Sequence, residues 1–95
     1  MTEPVLSGLT LDAVQAEATN AYLRHGRHSI LGDANSETDR LAILTEKVGQ
    51  VARELNEYRL GNITDNDWKA RRVRELIQVA AAALSWVEHL EGHRP

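Results

Sequence analysis

The segment LAILTEKVGQVARELNEY, residues 41–58, decides the fold. Its apolar residues Leu41, Leu44, Val48, Val51, Leu55 and Tyr58 recur at intervals of three and four. That period puts them on one stripe of an α-helix, whereas a half-buried strand alternates every second residue. Ser36 stands upstream as an N-cap, with Glu37 and Asp39 in the first turn, where carboxylates complement the helix dipole. Gly61 and Asn62 end the segment.

Helical patterns lie on both sides. Upstream, Leu11, Val14, Ala18, Ala21 and Tyr22 share one helix face. Thr10 is expected to cap this helix, with Asp12 in its first turn, and Gly26 to stop it. Residues 1–9, with Pro4, Ser7 and Gly8, read as a flexible lead-in, and residues 26–35 read as a loop. Downstream, Thr64 followed by Asp67 reads as a capping box with Asp in the Glu position. The helix it opens carries Trp68, Val73, Leu76, Val79, Leu84, Val87 and Leu90, and runs to Glu91, a length of about 40 Å. Within it the run from Ala80 to Ala83 suits close approach of another helix. Residues 92–95 form a tail, in which His93 stands four positions from His89. No stretch reads as a strand. The sequence predicts one all-α domain over residues 10–91, a bundle of three main helices.

Size and composition bound the rest. A chain of 95 residues is one domain with a modest core, so the bundle is expected to be completed by oligomerisation, as a homodimer or homotetramer. There is no cysteine, hence no disulfide and no thiolate metal site. The first residues do not form a basic segment followed by an apolar one, and no apolar run approaches the ~18 residues of a membrane span. A cytoplasmic protein without membrane contact is expected. The net charge is −3, and the one dense basic cluster, Lys69, Arg71, Arg72 and Arg74, spreads around a helix. With Tyr22, Tyr58, Trp68 and Trp86 as the aromatics, a nucleic-acid surface is not expected.

Two segments carry a resemblance. Leu44 to Glu54, LTEKVGQVARE, and Arg74 to Trp86, RELIQVAAAALSW, resemble the two signature helices of the MazG-like nucleotide pyrophosphohydrolases. The likeness spans roughly residues 11–90 and includes the Trp-Val-Glu ending at Trp86. It implies an all-α bundle, an oligomer, and hydrolysis of nucleoside triphosphates to monophosphate and pyrophosphate with magnesium or manganese. The family pattern is Glu-Glu-x-x-Glu on one helix and Glu-x-x-Asp on the next. Residues three apart share a helix face, so two such pairs on facing helices converge four carboxylates on hard cations.

Transferred residue by residue, the leading Glu matches Glu46. The two metal-binding Glu positions match Lys47 and Gln50, and the second motif matches Glu75 and Gln78. Of the four ligand positions, Glu75 alone keeps a carboxylate. A Lys replaces an anionic ligand by a cation, and a Gln offers a neutral carbonyl, so metal affinity is expected to fall sharply. Glu46 and Glu75, with Glu54, are the carboxylates left to organise a reduced site with catalytic and metal-binding roles. Lys47, Gln50 and Gln78 become candidate substrate contacts, Lys47 meeting a phosphate where a metal would stand. The stretch Arg24 to Ser29, RHGRHS, resembles the loop near the family's substrate site, which adds Arg24, Arg27 and His28 as phosphate contacts. Three functional classes follow: a nucleotide-binding or assembly protein with weakened hydrolysis, an active pyrophosphohydrolase of (deoxy)nucleoside triphosphates, and a helical interaction module without nucleotide.

Overall fold

A computed structural model describes residues 4–92; the first three residues of the expected lead-in and the last three of the tail, His93 included, lie outside them. The order is α1 (Gly8–His25), a single 3₁₀ turn (Gly26–His28), α2 (Glu37–Arg59) and α3 (Asp65–Glu91). The described residues contain no strand. Among the described residues no helix is long and apolar enough to cross a membrane.

Local chemistry accounts for the boundaries. Ser36 Oγ accepts the Asp39 N–H at 3.1 Å, and Asp39 Oδ2 accepts the Ser36 N–H at 2.9 Å, so α2 opens with a reciprocal capping box. These bonds hold the exposed Asp39 carboxyl below its ordinary pKa. Thr64 Oγ1 accepts the Asp67 N–H at 3.1 Å and opens α3. Gly26 and Gly92 end α1 and α3 at positive φ, 54° and 68°. The α1 start differs from the expectation. Ser7, not Thr10, is the cap: its Oγ accepts the Thr10 N–H at 3.1 Å, so Gly8 and Leu9 belong to the helix and Thr10 lies in its first turn.

α3 is the spine. α2 packs antiparallel along one side of it, and α1 crosses its C-terminal half. Ala81 and Ala82 of α3 are buried, as are Val14 of α1 and Ile30 of the loop. Trp68 is buried at the other end, where Tyr58 stacks on it with ring centroids 5.6 Å apart. The Arg72 guanidinium sits 5.8 Å from the Trp68 ring centre.

Candidate functional site

Cross-helix contacts fix how α2 faces α3. Trp86 Nε1 donates to Glu37 Oε1 at 2.9 Å, and Arg71 Nη1 donates to Glu54 Oε2 at 3.0 Å. Together with the Tyr58–Trp68 stack they define one antiparallel register. A turn along from the Glu54–Arg71 bridge, Gln50 stands level with Glu75. The next turn sets Lys47 level with Gln78. All four are half-buried. The four positions singled out in the sequence thus share one inter-helix face.

Glu75 is the anomaly on that face. Its side chain is 13% exposed and Oε1 lies 4.0 Å from Arg74 Nε. Its Oε2 is buried and receives no hydrogen bond among the described residues. A buried carboxylate oxygen without a donor costs stability.

Lys47 and Gln78 also line a cavity of about 340 Å³. α1 contributes Glu17, Ala18, Ala21, Tyr22, Arg24 and His25 to it; α2 adds Ile43 and Glu46; α3 adds Ala81, Ala82 and Ser85. His28 to Leu31 close it from the loop. Arg24, His28, Glu46, Lys47 and Gln78 therefore come together, whereas Gln50 and Glu75 do not line the cavity. Glu46 lies about 100° around α2 from Lys47, so it opens to the cavity and the register does not bring it to Glu75. Glu54 is engaged by Arg71, whose pKa this bridge raises. Arg27 turns away from the cavity to Asp33, 2.8 Å from Oδ1, and that bond raises its pKa. Glu17 enters the site unforeseen, whereas His25 comes from the Arg24–Ser29 stretch already singled out. Glu17 falls seven residues before Arg24 on the same face of α1, a spacing that would have revealed it.

The loop wall is held by a residue that sequence reasoning passed over. Arg40 is 3% exposed. Its Nε donates to Ile30 O at 2.8 Å, Nη1 to Asn35 O at 2.6 Å and Nη2 to Gly32 O at 2.6 Å. Asn35 Nδ2 donates to the carbonyls of His28 and Ser29 at 2.6 and 2.9 Å, and Ser29 Oγ donates to Gly26 O at 2.8 Å. The loop folds so tightly that a Cβ at Gly32 would collide with the Gly26 and Arg27 carbonyls. One guanidinium fork gathering three carbonyls turns a glycine-containing loop into a fixed wall.

The donor set does not fit a magnesium centre. On the shared face one carboxylate, Glu75, stands with two neutral amides and the Lys47 ammonium, and a cation at a ligand position opposes a second cation. Among the described residues no group of three or more His, Asp or Glu side chains is placed to hold a metal ion. What the cavity does offer is convergent donors: Arg24, Lys47, two imidazoles and the Gln78 amide, with Glu17 and Glu46 as acceptors. That array suits a small anion that also carries hydrogen-bond donors. No family model, curated protein or solved structure matches the chain.

Proposed function

We propose that the protein binds a phosphorylated small molecule, in the first instance a nucleotide, in the cavity between α1, the 26–35 loop and the α2–α3 pair. Lys47 and Arg24 meet the phosphate oxygens, with His25 and His28 as further donors, so that the charge is met by side chains and not by a bound metal. Glu17 and Glu46 accept from ligand hydroxyl or amino groups. The observation that carries this reading is the convergence of Arg24, His28, Lys47 and Gln78 on one cavity from four separate segments. The MazG-like resemblance belongs to the same reading: the four signature positions share a face, but their chemistry has moved from metal binding to direct anion contact. The working form in this reading is more than one copy, which the small core favours, and the cysteine-free composition suits a reducing cytoplasm.

The test is thermal stabilisation by a panel of nucleoside mono-, di- and triphosphates against inorganic phosphate, without metal. A rise in Tm with nucleotides, lost in Lys47→Ala, is expected. Equal response to phosphate alone, or none at all, overturns the nucleotide reading and leaves the helical interaction module. A second reading, an active pyrophosphohydrolase, draws on the unpartnered Glu75 Oε2. It requires pyrophosphate release with magnesium or manganese that vanishes in Glu75→Ala.

A further inference from the structure

α2 turns its polar residues Lys47, Gln50 and Glu54 toward α3 and leaves apolar ones outside. Leu41, Val48 and Leu55 are 54%, 51% and 41% exposed. They are spaced by seven, with the half-buried Leu44 and Val51 beside them, which are the a and d positions of a helix-pairing seam. No side chain among the described residues is fully buried. The chain exposes 7016 Å², whereas a folded monomer of 10.6 kDa exposes about 5,500 Å². The difference, about 1,500 Å², exceeds the roughly 800 Å² that each partner hides in a standard interface. The Cα radius of gyration is 15.0 Å, against about 12 Å for a compact chain of this length.

We propose that a second copy of this chain covers the Leu41–Val48–Leu55 row, α2 against α2. A two-fold interface must be self-complementary, and a Leu–Val–Leu row with even spacing meets that condition about its centre. With the axis near Val48, Leu41 packs on Leu55 of the partner subunit, and Val48 on the partner's Val48. The surplus area is enough for a standard interface on this row, with the exposed α3 residues Val73, Leu76, Leu84, Val87 and Leu90 sharing the remainder. The proposal rests on the self-association part of the functional reading and is independent of the nucleotide part.

The cysteine-free chain permits a clean test. Val48→Cys and Arg53→Cys are labelled separately with pyrene; Arg53 lies on the other side of α2 from the row. Excimer emission is expected from the Val48→Cys label and lost on dilution with unlabelled chain, with none from Arg53→Cys, and the unmodified protein sediments as a dimer or a multiple of it. A monomer at all concentrations overturns self-association itself. An oligomer that gives excimer from Leu76→Cys on the exposed α3 row, and none from Val48→Cys, keeps self-association and overturns this surface.

Discussion

Arg40 Nη2 lies 3.3 Å from His89 Nδ1, joining the start of α2 to the end of α3 across 49 positions of sequence. A guanidinium only donates, so Nδ1 is the acceptor and the proton of the neutral ring sits on Nε2. Ring ¹⁵N shifts at neutral pH are expected to show the Nε2–H tautomer for His89. The Nδ1–H tautomer would remove this bond from the account.

The same guanidinium holds three loop carbonyls, at Ile30, Gly32 and Asn35. Arg40→Met leaves buried acceptors without donors and is expected to cost about 3 kcal/mol. Arg40→Lys is expected to recover little, because one ammonium cannot span the fork. Urea unfolding at fixed protein concentration measures both. A loss under about 1 kcal/mol in either variant would mean that the loop finds its own partners.

The helices were legible because their signals are local. Ser36, Thr64 and Gly26 act on backbone groups within a turn, and all three end or open a helix as the sequence predicts, although Thr64 caps α3 through its own side chain without the reciprocal Asp67 bond of the expected box. Ser7 was missed because Ser7 and Thr10 are both good caps three residues apart, and Gly8 between them reads as a break. Arg40 was not legible: an arginine near a helix start reads as a solvated charge, and its carbonyl partners become visible only once the loop is folded. The α2 stripe was legible as helix but not as surface. Periodicity identifies an apolar face without saying whether its own chain covers it, and here Lys47, Gln50 and Glu54 face α3 instead.

The α2 capping box ties stability to acid pH. Hydrogen bonds from the Ser36 backbone and then its side chain hold the Asp39 carboxyl below its ordinary value of 3.8. A depressed carboxyl stabilises the fold above that ordinary value, and the contribution is lost as pH falls through the lower folded value. Melting from pH 6 to pH 2 is therefore expected to show a steeper acid limb in the wild type than in Asp39→Ala. Parallel acid limbs would show that the box contributes no linkage.

The shared face of α2 and α3 can be tested by restoring the missing anions. Lys47→Glu, Gln50→Glu and Gln78→Asp together add three carboxylates to the face of Glu75, one level with it and two a turn along. Mutual repulsion is expected to lower Tm in metal-free buffer, and manganese is expected to restore it, because hard cations neutralise clustered oxygens. Manganese-insensitive melting of the triple variant would falsify the register that places these four positions together.

Glu75 separates the two chemistries open to the site. Its buried Oε2 has no donor among the described residues, and its contact with Arg74 is long at 4.0 Å and partly exposed. Removing the charge while keeping the shape relieves desolvation, so Glu75→Gln is expected to be as stable as the wild type or up to about 1 kcal/mol more stable. Glu75 does not line the cavity that holds Lys47 and Arg24. If the phosphates are held there by side chains, Glu75→Gln keeps the full nucleotide-induced rise in Tm while Lys47→Ala loses it. If a cation on Glu75 holds them instead, the ranking inverts: Glu75→Gln loses the metal-dependent response, and Lys47→Ala, with a competing charge removed, binds metal and nucleotide more tightly. Titrating the two variants side by side, with and without manganese, decides between them, since no outcome favours both.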